Sequence, residues 1–286
     1  VKPVRVIAVL SGGGAKAAAH VGAIEALRER EMSPVHYVGT SMGAVVAAAF
    51  ASGLSYPDVL KRISGIDRGD VAAFSPAVIL GPFASSLLRA APLRRTIGRL
   101  VAARYFDELE VPLTVTAVDV DTGELLLLGT GGRTNVSLVD ALYASCALPL
   151  YYPAGRVENR TCIDGGMRAV LPLDVAGRFR PDLIFAVDVG PSLQADPNAR
   201  EPSMPAMVQA HSAAMRILMA AQVEEQVGRW RNSGVPIVLV RPRRQRSATF
   251  ALDSVVSYVE EGYRAASREL DRWHLGAGVP IQPTGA

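Results

Sequence analysis

The sequence predicts an α/β fold: a single domain whose central, mostly parallel sheet is flanked by helices. Val4–Leu10 is an unbroken β-branched and apolar run closed by Ser11-Gly12-Gly13-Gly14, as expected of a strand buried on both faces. A helical stretch, Ala15–Arg30, and a short second strand, Val35–Val38, follow it directly. An alanine-rich, almost uncharged segment, Gly43–Ser52, then suits a helix buried against a sheet. Strand, helix, strand, helix at this spacing points to parallel pairing through right-handed crossovers.

Within Ala15–Arg30, Val21, Ile24 and Leu27 recur at helical spacing, and Glu25, Arg28 and Glu29 supply the polar side. Val71–Pro92 is apolar but broken by Pro76, Gly81 and Pro82, and is expected to form a loop or cap over the sheet. Further strands are predicted at Leu113–Val120, Glu124–Gly129, Leu183–Val189 and Pro236–Val240, and helices at Ser137–Cys146, Pro205–Gln226 and Asp253–Trp273. Arg241–Ala248 and the tail after Gly276 read as loop or frayed end. No repeat or linker divides the chain. Residues 1–286 are therefore expected to be one domain, with a core at about 4–190 and elements at about 203–275 packing on the same sheet.

Composition narrows the function classes. The 286 residues are 49% hydrophobic and 20% charged, which excludes a disordered chain. The longest apolar runs, Gly43–Leu54 and Ala77–Leu88, fall short of the roughly 18 residues a bilayer requires. The opening VKPVRVIAVL enters a strand without a small-residue cleavage site, so no secretory signal is expected and the chain should be cytoplasmic. The net charge of +3 is mild, and only Lys2, Lys16 and Lys61 among the basic residues are lysines. The clusters Arg89–Arg104 and Arg241–Arg246 lack the interleaved aromatics of a single-strand platform, so no nucleic-acid partner is expected. Cys146 and Cys162 show no CxxC or metal spacing and read as reduced thiols. His20, His36, His211 and His274 form no metal-spaced pair, so no metal or cofactor is expected.

Two segments carry chemistry. Gly39-Thr40-Ser41-Met42-Gly43 lies between the second strand and the buried helix, the context of a nucleophile elbow. Such a turn strains the serine backbone, and its neighbours two residues away must be nearly side-chain-free. The bland alternative is a tight turn with Ser41 as an N-cap. Ser11-Gly12-Gly13-Gly14-Ala15-Lys16 follows the first strand, and three glycines allow successive amides to turn toward one point as an anion nest. In an acyl-transfer enzyme that nest is the oxyanion hole. Gly12-x-Gly14-x-x-Ala17 also fits a dinucleotide fingerprint, but no acidic residue closes the second strand, where Val38-Gly39-Thr40-Ser41 stands instead. Neighbouring parallel strands bring both loops to one carboxyl edge of the sheet.

A serine needs a base. A Ser…Asp/Glu…His order would call on His211 or His274, the first inside a predicted helix and the second beside Trp273. Asp164, in Ile163-Asp164-Gly165-Gly166, ends a short apolar run and precedes two glycines that permit close approach. Asp119, Asp121 and Asp188 also lie near predicted strand ends, and spacing alone leaves all four open.

The ordered set Gly12-Gly13-Gly14-Ala15-Lys16, His20-Val21-Gly22, Gly39-Thr40-Ser41-Met42-Gly43 and Asp164-Gly165-Gly166 resembles the blocks of patatin-like phospholipases. Ser145-Cys146-Ala147-Leu148-Pro149 with Tyr152-Pro153 is similar to that family's segment ahead of the aspartate, and the resemblance covers about Val4 to Asp188. It implies a patatin-like α/β/α fold and a Ser–Asp dyad without histidine: Ser41 as nucleophile and Asp164 as base. Gly12, Gly13 and Gly14 would line the oxyanion hole, joined by the Met42 amide, and Lys16 stands at the family's basic position. Ala17 replaces the usual glycine; since alanine disfavours φ > 0, the first helical turn is expected to be regular.

The implied substrate is a lipid or other fatty-acyl ester, cleaved through an acyl-enzyme. An acyltransferase or thioesterase using the same intermediate, and a non-catalytic lipid- or nucleotide-binding protein, are the competing classes. Phe74, Val78, Ile79, Leu80 and Phe83 suit either an acyl-chain lid or ordinary packing beneath a loop. Leu93, Ile97, Leu100 and Val101, ringed by Arg94, Arg95 and Arg99, suit either a basic helix on an anionic membrane or a helix packed on the sheet.

Overall fold

The computed structural model describes residues 4–77, 79, 85–193, 205–242 and 254–275. The first apolar run becomes β1 (Val6–Leu10), buried at every position, and it pairs in parallel with β2 (Pro34–Thr40) on one side and β7 (Leu183–Val187) on the other. β3 (Leu113–Asp119) continues the parallel set beyond β2, and β8 (Ile237–Val240) continues it beyond β7. Such strands carry apolar side chains on both faces because helices cover both.

Three further strands pair antiparallel with their neighbours, and two of them, the first and the third in chain order, run against this set. β4 (Leu125–Gly129), β5 (Gly155–Val157) and β6 (Arg160–Asp164) give the order β5-β6-β3-β2-β1-β7-β8, with β4 also on β3. β4 pairs antiparallel with Thr114–Val118 of β3, while β2 pairs with Leu113–Thr116 and β6 with Ala117–Asp119. A strand has only two hydrogen-bonding edges. Because β4 and β6 both engage Ala117 and Val118, β6 must share the edge that β2 occupies. β2 and β6 therefore abut end to end along β3, with Thr40 opposite Thr116 and Asp164 opposite Ala117. The carboxyl ends of both strands meet there. The β5–β6 hairpin is absent from the sequence-based assignment, its strands being too short and too polar to show alternation.

The predicted helices form with shifted ends, and the short helices Tyr56–Ser64, Arg68–Val71 and Leu173–Gly177 are additions that the sequence pattern does not reveal. The first helical stretch divides into a 3₁₀ turn, Gly14–Ala17, and α1 (Ala18–Arg28). Ala17 sits at φ −59°, ψ −17°, so the turn avoids φ > 0 at this position as expected. α2 (Met42–Ala51) is buried from Gly43 onward. The short helices α3 (Tyr56–Ser64) and α4 (Arg68–Val71) precede α5 (Ala90–Leu100). In α5, Leu93, Ile97 and Leu100 are turned into the core, and Arg95 and Arg99 remain outside. The helix is packed inward, with α2, α3 and α4 among its neighbours in place of the expected sheet, and its apolar stripe is buried.

α6 (Leu138–Cys146) and α7 (Leu173–Gly177) flank the sheet, followed by α8 (Ala206–Trp230) and α9 (Val255–Leu275). Among the described residues no helix is long and apolar enough to cross a membrane. Of the expected cap, Phe74 bridges Leu88, and the main chain of Leu87 and Leu88 bonds to Leu150 and Tyr151. Phe74 and Ile79 project outward, 74% and 91% exposed, so neither packs in the core. Val78, Leu80, Phe83, Arg243, Arg244, Arg246 and the tail after Gly276 lie outside the described residues.

α9 lies against α1 through two glycines. A Cβ on Gly22 would stand 1.9 Å from the Val259 carbonyl oxygen, and one on Gly262 would stand 1.9 Å from that of Ala19. Gly22→Ala and Gly262→Ala should each destabilise the protein by about 2–3 kcal/mol, because the helices must separate to admit a methyl group. The shift of the urea unfolding midpoint measures this.

Candidate active site

The junction of β2 and β6 along β3 brings two predicted residues together. Ser41 follows the last residue of β2, Asp164 is the last residue of β6, and the Ser41 side chain comes near enough to the Asp164 carboxylate to favour its charged form. Both are buried, at 9% and 4% exposure, with Ser41 the more accessible.

The elbow has the strain that its sequence implies. Ser41 sits at φ 54°, ψ −135°, in the left-handed region where a side chain is unfavourable. Three contacts hold it. Its amide donates to Ser145 Oγ at 2.8 Å, its carbonyl accepts from the Ala44 amide, and the Thr40 hydroxyl beneath it reaches the Ala169 carbonyl and Thr116 Oγ1. Gly39 and Gly43 are needed for space. A Cβ on Gly39 would lie 2.5 Å from Ala44 Cα, and one on Gly43 would lie 2.3 Å from the Ser11 carbonyl oxygen.

Asp164 is fixed as firmly. Its amide donates to the Ala147 carbonyl, and its Oδ1 accepts from the Gly166 amide at 2.7 Å. Gly165 lies so close to β3 that a Cβ would stand 2.3 Å from Thr116 Oγ1. Burial raises the Asp164 carboxyl to about 6, opposed by the Ser41 side chain and the Gly166 amide. Burial, aided by the charge of Asp164, also pushes the adjacent Cys146 thiol up, so it stays protonated.

Beside Ser41 runs the glycine loop. A Cβ on Gly12 would be 3.2 Å from Ser41 Cβ, and Gly13 lies against Val189. Gly14 has φ 60° and opens the 3₁₀ turn. The amides of Gly13, Gly14 and Met42 donate to no described group, whereas the Gly12 amide donates to the Val170 carbonyl at 3.1 Å. Gly12 thus departs from the expectation that all three glycines offer free donors. Its amide anchors the loop, and its missing side chain lets the loop approach the elbow.

The buried His20 is part of that anchorage. Its Nε2 lies 2.9 Å from the Ser11 carbonyl, which requires an Nε2–H donor, and Nδ1 meets no described partner. Burial lowers its pKa to about 4, so it is a neutral strut. The Lys16 ammonium, half-buried, reaches the Gly190 carbonyl at 3.4 Å.

The competing carboxylates are engaged elsewhere. Asp119 pairs with Arg160 at 2.7 Å and caps the following turn, Asp121 is exposed, and Asp188 binds Arg241 Nε at 3.1 Å. Among the described residues no histidine hydrogen-bonds Ser41 or Asp164, and no three His, Cys, Asp or Glu side chains gather as a metal site. Two positioning groups escaped sequence reasoning, Ser145 and the Val170 carbonyl. Ser145 belonged to a quoted block, yet nothing in its spacing reveals that its hydroxyl faces the Ser41 amide.

A serine elbow, a buried aspartate and a glycine loop at one end of a mostly parallel sheet define a patatin-type hydrolase scaffold. The patatin-like phospholipase family model matches residues 8–176, more than half of the chain, and the chain belongs to that family. An uncharacterized NTE family protein of Mycobacterium tuberculosis is 31% identical over 214 residues, covering 73% of this chain and 57% of the relative. Human patatin-like phospholipase domain-containing protein 6 is 27% identical over 191 residues, covering 66% of this chain and 14% of that protein. The chain thus spans little more than half of the mycobacterial relative and a small part of the human one. The fold is similar to that of VipD from Legionella pneumophila, with a TM-score of 0.51 at 15% identity, covering 95% of this chain and 67% of that one.

Two outcomes are expected from the geometry. Ser41→Gly should be more stable than Ser41→Ala by about 1 kcal/mol, since only glycine relieves the positive φ; paired urea titrations test this. Because the folded pKa of Asp164 lies above its unfolded value, its contribution to stability is fully present below about pH 4. That contribution is lost as pH rises through about 6. Asp164→Asn should therefore gain about 2–3 kcal/mol relative to wild type between pH 4.5 and pH 8. Unfolding curves at the two pH values give the difference.

Proposed function

We propose that this chain is a serine-dependent lipid acyl hydrolase of the carboxylic-ester class, working through a Ser41–Asp164 dyad without histidine. The observation that carries this reading is the register at the β2–β6 junction, which sets Thr40 and Asp164 opposite adjacent residues of β3 and so brings Ser41 and Asp164 together. Asp164 accepts the Ser41 hydroxyl proton as Oγ attacks the ester carbonyl carbon. The carbonyl oxygen becomes an oxyanion held by the amides of Gly13, Gly14 and Met42. Collapse of the tetrahedral species expels the alcohol, which takes the proton from Asp164. Water then attacks the acyl-enzyme, giving Asp164 a proton that returns to Ser41 as the fatty acid leaves.

An aspartate near its ordinary pKa would be a poor base toward a serine. At about 6, the Asp164 carboxylate is both more basic and still ionised near neutral pH. The apolar surroundings of the pair support an acyl ester over a polar substrate. A soluble chain with peripheral membrane contact at Phe74 and Ile79, the exposed apolar side chains of the cap, fits a lipid substrate.

Ser41→Ala and Asp164→Asn should each lower fatty-acid release at least 10³-fold with the fold intact. Loss of fluorophosphonate labelling in Ser41→Ala accompanies this. In wild type, kcat/KM should fall tenfold per pH unit below about 6, following protonation of Asp164. Full activity of Asp164→Asn, or a profile governed by a residue other than Asp164, overturns the dyad.

A further inference from the structure

Asp188 is fully buried and has no part in the Ser41–Asp164 chemistry. An ionised carboxylate is costly to bury unless its surroundings compensate it. Strand register does so here. Leu10 of β1 stands opposite Val187 of β7, and Val187 stands opposite Val240 of β8. One residue further on, Ser11, Asp188 and Arg241 form a row across three neighbouring strand ends. The main chain ties the row together: the Ser11 amide donates to the Val187 carbonyl, and the Asp188 amide to that of Val240. Arg241 Nε donates to Asp188 Oδ2 at 3.1 Å. Its Nη2 also lies 2.9 Å from Glu224 Oε1 on α8, an ion pair without hydrogen-bond alignment.

The other Asp188 oxygen serves the glycine loop. Oδ1 accepts from the Gly190 amide at 3.0 Å, and the Val189 amide donates to Ser11 Oγ at 2.8 Å. Val189 and Gly190 form a shelf against which the loop rests. A Cβ on Gly13 would stand 2.7 Å from the Val189 carbonyl oxygen, and one on Gly190 would stand 3.5 Å from that of Gly12. Lys16, in the loop's own 3₁₀ turn, reaches the Gly190 carbonyl at 3.4 Å. One carboxylate thus joins the guanidinium to the shelf. Without the guanidinium, the stranded charge must gain a proton or turn toward water. A proton weakens the charge-assisted bond to Gly190, and a turn breaks it.

We infer that Arg241 is a positioning residue for the oxyanion donors: acting through Asp188, it fixes the Val189–Gly190 shelf and thereby the amides of Gly13 and Gly14. The use of those amides rests on the serine-hydrolase reading, whereas the brace itself does not. Fixed donors favour the transition state over the bound substrate, so Arg241 acts on kcat and leaves KM nearly alone.

Two measurements on the full chain separate this inference from the reading beneath it. The first is hydrolysis of p-nitrophenyl butyrate, with kcat expressed per folded molecule. The second is amide hydrogen exchange of the segment Gly12–Ala15, read by mass spectrometry. Arg241→Met should lower kcat about thirtyfold, with KM within about twofold, and speed exchange of the segment about threefold or more. Arg241→Lys, which keeps a cation at Asp188, should return kcat to within about threefold of wild type. The double variant Asp188→Asn/Arg241→Met carries no stranded charge and keeps an acceptor for Gly190, so it folds even where Arg241→Met does not. Its kcat should lie between the two, about threefold or more below wild type. Faster exchange in Arg241→Met, in a protein without Ser41-dependent hydrolysis, supports the brace and overturns the hydrolase reading. Ser41-dependent hydrolysis with kcat and exchange at wild-type values in folded Arg241→Met, or in the double variant, overturns the brace and leaves the hydrolase reading standing. A rise in KM with kcat unchanged likewise overturns the brace.

Discussion

A single edge of β3 organises the site. β4 occupies the opposite edge over Thr114–Val118, so β2 and β6 must share the one that remains, and they can do so only end to end. Adjacent residues of β3, Thr116 and Ala117, thereby place Thr40 next to Asp164, and Ser41 follows Thr40. The hydroxyl and the carboxylate meet because of strand register, with no loop required to carry either across. A one-residue slip of β6 would turn Asp164 to the other face of the sheet. The close fit of Gly165 against Thr116 and the Asp164–Ala147 main-chain bond oppose such a slip.

The junction concentrates two unfavourable terms. Ser41 is held at positive φ, and a carboxylate is buried where burial favours its neutral form. Either term alone would be relieved by a simple substitution, glycine in the first case and asparagine in the second. Their coincidence on two neighbouring residues, each fixed by a separate set of bonds, marks a place where stability has been given up. His20 shows the opposite case. It too is buried and shifted, but its shift leaves it neutral and bonded to a carbonyl, which suits a support.

Much of this was legible in the residues, for identifiable reasons. Parallel strands buried on both faces announce themselves as continuous apolar runs, so β1, β3, β7 and β8 were readable to within a residue or two. The elbow glycines were readable because close approach leaves glycine as the sole choice at Gly39 and Gly43. The β5–β6 hairpin was not, since Gly155–Val157 and Arg160–Asp164 carry too few apolar residues to show a period. Without the hairpin, Asp119, Asp121, Asp164 and Asp188 were equivalent on spacing, and only sheet register separates them. The Gly12 amide misled because its partner, the Val170 carbonyl, is 158 residues distant in the chain and contributes main chain alone. Side-chain chemistry cannot signal a backbone acceptor.

The supports of the glycine loop extend past the part of the chain that carries the family pattern, which ends at residue 176. Ser11 Oγ accepts from the Val189 amide, and the Ser11 amide donates to Val187 at the end of β7. Asp188 accepts from the Gly190 amide and pairs with Arg241, which follows β8 and also pairs with Glu224 on α8. Lys16, inside the loop's own 3₁₀ turn, closes the circuit on the Gly190 carbonyl. The loop is thus braced from β7 and, through the pair of buried Asp188 with half-buried Arg241, from β8 and α8. Such a pair adds little net stability, but removing Arg241 strands the buried Asp188 charge. The C-terminal elements therefore do more than cover the sheet. They determine how rigidly the amides of Gly13 and Gly14 are presented, and rigid presentation is what gives such donors their electrostatic effect.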